Sequence, residues 1–508
     1  MSKIMIGKHT LESLTSGMYS EPFVIYREYI QNAVDSIDAA FRQGYLVPGK
    51  ECVSINIDYA DGIIEIYDNG LGLSIQDAEQ TLISIGSSKK NAKTSRGFRG
   101  IGRLAALSYC NKLIFATTYP GEKIGTKVTI DALKLSELLS IYSQEDSSME
   151  DVLKLVCTSE HFAADESEHY FKVSMYDVDN AGDLLNINSV KEYLSQVAPV
   201  PYDPNAFTWR KEVIDRLRQH GYDLSQYCIQ ICCGINKFNI YKPYQDTILI
   251  DKARNNFDVI QDIEILELHN SDGVLTAIAW IALTNYVGTI VDRTVKGLRI
   301  RKGNILIGDS QTLNTVFKDA RFNGWTLGEI FVLDPMLLPN ARRDNFEKTP
   351  AFFLFSEQMA TIAGNISKQI RIASIKRNSG LAEAIQKTEE ANNAVKGMMK
   401  EAHISPGKKG SVSQKIHLAQ QEMSNILPQN DTESLLQEIA FDELDMLIGK
   451  VQGVTSFKAI NILETLSKTE KKILEQVFCI LQNQLCDEDV EKVIEAILTQ
   501  FTKKSQFI

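Results

Sequence analysis

Chemistry-bearing residues gather at four places in the first third of the chain. Glu28, Asn32 and Asp35 stand at i, i+4 and i+7 within REYIQNAVDSID (27–38), so a helix there carries all three on one face. Asp68 opens DNGLG (68–72). It is a carboxylate able to accept a hydrogen bond at the end of a strand, beside Gly70 and Gly72, which let backbone approach a ligand closely. Gly97, Gly100 and Gly102 fall in GFRGIG (97–102), just ahead of a helical run, an arrangement that suits phosphate binding by backbone N–H groups and a helix amino terminus. Thr126 follows Gly125 in GTKV (125–128), before a strand. Each patch has a plainer alternative: a solvated polar face, an Asn-Gly turn, glycine-containing loops. In this order they are what a nucleotide pocket requires, and none of them is a P-loop.

Together these patches resemble the GHKL ATPases, the group that holds the ninety-kilodalton heat-shock chaperone, gyrase B, MutL and MORC proteins, and sensor histidine kinases. GFRGIGRLAAL (97–107) looks like the lid segment of MutL, and IGSSKK (85–90) is similar to the loop before it in MutL and MORC proteins. The resemblance implies ATP binding and hydrolysis with Mg²⁺, a hard ion that takes oxygen ligands. It makes Asn32 the metal ligand and Glu28 the general base or orienter of the attacking water, with Asp35 in support. Asp68 would accept from the amine of adenine and Thr126 would complete that contact. Gly70, Gly72, Gly97, Gly100 and Gly102 would surround the nucleotide, with Lys89 and Arg99 as lid cations. PNARRD (339–344) resembles the catalytic loop in the middle domain of the heat-shock chaperone, Asn340, Arg343 and Asp344 matching its Asn-x-x-Arg-acidic pattern. Arg343 would there stabilise charge on the transferring phosphoryl group. Arg342 is its rival in register, and Lys296 a further cation.

The balance of 54 Lys and Arg against 65 Asp and Glu, a net charge of −11, argues against a strongly basic protein that coats nucleic acid, although a local basic groove is compatible with it. No run of 18 apolar residues occurs, so no membrane partner is expected. MSKIMIGKHTLESL lacks a signal peptide's apolar stretch, which points to the cytoplasm. The eight cysteines lack the Cys-x-x-Cys or Cys/His pairing of a zinc site and read as reduced, structural thiols. Only His9 precedes the motifs, so the phospho-accepting histidine of a sensor kinase is not supplied. The expected role is a chaperone-like or MORC-like remodelling ATPase that cycles as a clamp. The alternatives are a DNA-associated clamp akin to MutL and a nucleotide-sensing component of bacterial defence against phage. A homodimer and a protein client are the expected partners besides ATP, with DNA as a further one.

The elements that must position these residues follow from periodicity. Phe23, Tyr26, Ile30, Ala33, Val34, Ile37 and Phe41 recur at the helical period and predict a helix over 22–43. Val53, Ile55, Ile57 and Tyr59 alternate, Asp61-Gly62 supplies a turn, and Ile64 and Ile66 lead a second strand into Asp68. Further strands are expected at Lys112–Thr118, Thr126–Ile130 and Tyr170–Tyr176, a helix from Leu104, and an acidic helical insert at 131–168. The reading is an α+β sandwich of helices on a mixed sheet, the GHKL ATP-binding fold, over 1–185. A transducer-like α/β middle domain follows over 186–350, containing the strand near Cys228. A helical carboxy-terminal region spans 351–508, with a flexible linker near 404–414 and amphipathic helices at Ser434–Val451 and Lys468–Leu485, whose apolar stripe is offered to a dimer partner.

Overall fold

Val24–Gln43 forms the first helix, α1, and Gly44 ends it in the left-handed conformation at φ 77°. The computed structural model describes residues 21–84, 102–140, 148–179, 183–234, 236–378, 381–400, 406–426, 428, 431–453 and short stretches between 473 and 497. Eight strands make the first sheet: β1 (Val53–Asp58), β2 (Ile63–Asp68), β3 (Lys112–Thr118), β4 (Ile124–Asp131), β5 (Cys157–Ala163), β6 (Tyr170–Tyr176), β7 (Ile229–Cys233) and β8 (Asn236–Asn239). Their order is β5-β4-β3-β6-β2-β1-β7-β8. β1 pairs antiparallel with β2 and parallel with β7, so the sheet is mixed. Helices α2 (Ile75–Ile83), α3 (Ala132–Leu139), α4 (Met149–Val156) and α5 (Ile187–Val197) complete this layer. Inward residues of alternate positions, among them Ile55, Ile64, Ile66, Leu113, Phe115, Val128 and Val173, form one core with Ile30, Val34 and Ile37 of α1.

Three expectations change here. The strand after Cys228 joins the first sheet, not the second domain, because Ile229 and Ile231 turn into the first core beside Val53 and Ile55. Gly102–Ser108, expected as the start of an α-helix, is a 3-10 segment whose Leu104–Leu107 stretch is buried all round. The insert at 131–168 holds a strand, β5, as well as two helices, and its alternating exposed positions place it at the sheet's edge.

After helix α6 (Arg210–Gln219), strands β9 (Thr247–Asp251), β10 (Asn256–His269), β11 (Leu275–Thr284), β12 (Gly297–Lys302), β13 (Ile305–Ile307) and β14 (Leu327–Val332) form a second sheet in the order β13-β12-β14-β11-β10-β9. Trp280, Phe207, Tyr244 and Phe331 fill its core. β12 and β13 meet in a two-residue turn, Gly303-Asn304, with φ of 56° and 61°, the paired left-handed conformation that a tight hairpin requires. Ile305 and Leu306 of β13 pack into the first core rather than the second. Both sheets belong to one compact unit that runs to Ser367.

The second unit, Lys368–Ile508, is helical over most of its described residues. Helix α7 (Pro350–Asn378) leads to α8 (Leu381–Lys400), α9 (Pro406–Ser424) and α10 (Asp431–Gly453). Residues 406–414, expected as linker, are the first turns of α9, because Val412 shares an apolar stripe with Ile416 and Ala419. That stripe buries Leu444, Leu447 and Val451 of α10 together with Val395 and Met398 of α8. Leu444, Leu447 and Val451 are therefore covered within their own unit, while Ile439 and Met446 of α10 remain exposed. Most of 468–485 lies outside the described residues.

Candidate active site

The polar stripe of α1 is not solvated. Glu28 and Asp35 are both under 10% exposed, and the helix is buried on almost every side of its first three turns. A carboxylate taken out of water needs a cation or several donors. Glu28 finds its cation 315 residues away: Arg343 Nε donates to Glu28 Oε1 at 3.0 Å. Arg27 Nε stands 3.6 Å from the same oxygen. The other carboxylate oxygen faces Gly102, where a Cβ would come within 2.2 Å of Oε2. Glycine is needed at 102 for backbone to lie over the carboxylate.

The loop that brings Arg343 is short and tied at both ends. Arg343 N–H donates to Asn340 O at 3.1 Å, Asn340 N–H to Asn345 O at 2.9 Å, and Gly308 N–H to Arg343 O at 2.8 Å. Asn340 Nδ2 donates to Asp344 Oδ1 at 2.5 Å. Arg343 itself sits at φ 57°, a left-handed conformation that costs a side-chain-bearing residue about 1–2 kcal/mol. Arg342 turns the other way. Its side chain is exposed, and only its carbonyl takes part, accepting from Arg27 Nη2 at 3.0 Å. Of the rival cations, then, Arg343 meets Glu28. Lys296 lies with its stem against Gly324.

At the other end of the pocket, inward apolar runs of neighbouring strands each finish in a polar residue. Ile64 and Ile66 lead to Asp68, Leu113 and Phe115 to Thr117, and Ile130 and Val128 to Thr126, all buried. The register aligns Asp68, Phe171, Thr117, Thr126 and His161 in one row across β2, β6, β3, β4 and β5. Thr126 shares the row but stands three strands from Asp68, with its hydroxyl 3.5 Å from His161 Nδ1. The hydroxyl that reaches the DNGLG loop is that of Thr117, which accepts from Leu73 N–H at 2.9 Å. Gly70 N–H donates to Asp68 Oδ1 at 2.9 Å.

The glycines of this loop are required by protein packing. A Cβ at Gly70 would meet Ser36 Oγ at 2.3 Å, and one at Gly72, φ 70°, would meet Thr118 O at 1.9 Å. Ser36 O accepts from Leu71 N–H at 3.1 Å, and Ser36 Oγ from Gly72 N–H at 3.3 Å. Ser36 thereby pins the loop to the helix that carries Glu28. His169 Nδ1 lies 2.7 Å from Gly70 O on the far side. Asn32 is half-buried on the same face of α1 as Glu28. Among the described residues no cluster of three or more His, Cys, Asp or Glu side chains is placed to hold a metal ion. Asn32 carries an amide oxygen, the donor type that a hard cation takes.

Lys89, Gly97, Arg99 and Gly100 lie outside the described residues. Four residues that the sequence reading passed over matter here: Arg27, Ser36, Thr117 and His169. Arg27 had a signal, since it follows Phe23 by four and precedes Ile30 by three, and so borders the apolar stripe. A cation in that position must find a partner. Ser36, Thr117 and His169 had none, because their roles depend on which strands become neighbours.

A helix bearing a buried carboxylate over a mixed sheet, a strand-end aspartate and a glycine that admits backbone to that carboxylate define a nucleotide-binding domain of GHKL type. The comparison agrees: residues 19–158 match the family described as histidine kinase-, DNA gyrase B- and HSP90-like ATPases. The chain carries a GHKL ATPase domain, of a superfamily that binds and hydrolyses ATP. No curated protein matches the chain. Among the described residues no helix is long and apolar enough to cross a membrane.

Proposed function

We propose that the protein is a Mg²⁺-dependent ATPase in which the second sheet supplies Arg343 to the nucleotide pocket of the first. The contact between Arg343 Nε and Glu28 Oε1 carries this reading. Asp68 accepts from the exocyclic amine of adenine, with Thr117 and Thr126 along the floor of the same row. Gly102, Gly100 and Gly97 present backbone N–H groups to the phosphates, and Lys89 adds a cation. Asn32 would hold Mg²⁺, whose charge neutralises phosphate oxygens when it is bound. Glu28 orients the attacking water and takes its proton, and Arg343 stabilises the charge that spreads over the transferring phosphoryl oxygens. Products are ADP and phosphate. Nucleotide turnover drives a clamp cycle in which Arg343 engages and leaves the pocket, and the work done is chaperone-like or MORC-like remodelling. A homodimer and a protein client complete this reading; α10 would offer the exposed Ile439 and Met446, since Leu444, Leu447 and Val451 are covered by α8 and α9.

The test separates binding from turnover. Asp68→Asn should lose about tenfold to a hundredfold in ATP affinity, the worth of one charge-assisted hydrogen bond at roughly 1.5–3 kcal/mol. Glu28→Ala should bind ATP and barely hydrolyse it. Calorimetry that finds unchanged affinity in the Asp68 variant would overturn the adenine assignment, and wild-type turnover in the Glu28 variant would overturn the base.

A further inference from the structure

Among the described residues, a fully buried ionic group lies in the second sheet, away from the nucleotide pocket. Glu329 of β14 is fully buried and accepts from Lys242 Nζ at 2.7 and 2.9 Å, from Tyr202 Oη at 2.5 Å and from Arg301 Nε. Arg301, on β12, is equally buried and uses each of its nitrogens on a different element. Nη1 donates to Asn304 O in the hairpin turn at 3.1 Å, and Nη2 to Gln196 O, in the last turn of α5, at 2.8 Å. Asn304 Nδ2 donates to Ser225 O at 2.7 Å, and Asn304 Oδ1 accepts from Lys242. One guanidinium thus fastens the β12–β13 hairpin to β14 of its own sheet and to a helix of the first core.

The hairpin ends at the loop of Arg343. β13 closes at Ile307, and the next residue, Gly308, donates its N–H to Arg343 O at 2.8 Å. A Cβ at Gly308, φ 70°, would meet Thr312 Oγ1 at 2.0 Å and Asp344 O at 2.8 Å, so this backbone is in close contact with the loop on one side and with Thr312 on the other. The other approach to the loop is the chain leaving β14, where Lys302 Nζ donates to Asp334 O. Both supports of the loop are therefore strands that Arg301 and Glu329 tie together.

We propose that Arg301 is a positioning residue for Arg343, setting where the arginine stands over Glu28 by locking the β12–β13 hairpin between β14 and α5. This rests on the ATPase reading above. A guanidinium is suited to the task because its planar fork serves three acceptors in fixed directions, which a lysine ammonium on a flexible stem does not. Misplacing a catalytic group by about 1 Å can cost roughly a hundredfold in rate without weakening ground-state binding.

The experiment is steady-state ATP hydrolysis by the full chain carrying Arg301→Gln, Arg301→Lys, Gly308→Ala, Arg343→Ala and the double change Arg301→Gln with Arg343→Ala. Arg301→Gln is expected to lower kcat by tens to about a hundredfold with KM for ATP within about twofold, and Arg301→Lys to recover part of the loss. Gly308→Ala leaves the ionic group intact and pushes the same loop from beneath, so it should reproduce the loss even if Arg301→Gln fails to fold. In the double variant Arg301→Gln should add nothing to Arg343→Ala, because it acts through that side chain. Multiplying losses in the double variant, or full turnover in both folded Arg301→Gln and Gly308→Ala, would overturn the positioning role. Full turnover in Arg343→Ala would overturn the role of Arg343 and the positioning role with it, whereas no ATP hydrolysis by the wild type would overturn the ATPase reading on which both rest.

Discussion

Replacing Arg343 by alanine puts the strongest demand on the site. Arg343 and Glu28 side chains are 12% and 8% exposed and meet at 3.0 Å, so two effects compete: lost catalysis and a broken ion pair. Removing one partner of a buried pair costs about 3–5 kcal/mol of stability when the other charge is stranded. Glu28 is not stranded, because Arg27 remains 3.6 Å from the same oxygen, so the folding cost should fall below that range. The catalytic cost should not shrink. An arginine delivered to a transferring phosphoryl group is worth about 10³–10⁵ in rate, or roughly 4–7 kcal/mol of barrier. Arg343→Ala should therefore fold, bind ATP with nearly unchanged affinity by calorimetry, and lose at least about a thousandfold in kcat. Arg343→Gly should be as slow, yet more stable than the alanine variant by about 1 kcal/mol, because φ 57° strains alanine and not glycine. Arg342→Ala is the control. Its carbonyl, which Arg27 uses, survives the change and its side chain is exposed, so turnover should stay within about twofold of wild type. Wild-type rates in Arg343→Ala, or an equal loss in Arg342→Ala, would refute the assignment.

Two other perturbations follow from the same geometry. Chelation of Mg²⁺ by EDTA should abolish turnover and cut nucleotide affinity, and Asn32→Ala should mimic it in part, since Asn32 is the one protein ligand assigned to the ion; an ATPase rate indifferent to EDTA would contradict the mechanism. Burial alone would raise Glu329, but Arg301 and Lys242 outweigh it and carry it from the ordinary 4.5 down to about 2. A depressed carboxylate adds stability above its unfolded value that is lost as pH falls through the folded one. Unfolding free energy should therefore drop by about 3 kcal/mol between pH about 4.5 and about 2, a drop that Glu329→Gln should abolish while lowering stability at neutral pH by about 3–5 kcal/mol; equal acid sensitivity in both proteins would place the titration elsewhere.

Much of the first sheet could be read from period-two runs, because β1, β2, β3 and β4 each bury one face more deeply than the other. The strand after Cys228 was visible as a strand but not as a neighbour of β1, since a parallel partner 170 or so residues away leaves no local mark. Residues 404–414 misled for the opposite reason. Pro406, Gly407 and Gly410 look like a linker, yet proline is tolerated in the first turn of a helix and Val412 gains enough from α8 and α10 to override propensity.

Spacing alone placed Glu28, Asn32 and Asp35 on one face but left open whether that face met water. The question is decided by a residue in another sheet, and the physics of burial ties the two facts together. A helix with Glu28 and Asp35 under cover would be unfavourable unless cations came to it. The chain brings two arginines from different directions, Arg27 from the same helix and Arg343 from a strained loop. Strain at Arg343 is tolerated because the loop is held from beneath by Gly308 and at the Arg342 carbonyl by Arg27. The left-handed arginine is therefore the point where the two sheets become one device. On the proposed mechanism, a residue that strains its own backbone, pairs with the buried carboxylate and sits in a loop held by Gly308 and Arg27 serves the reaction as well as the ion pair.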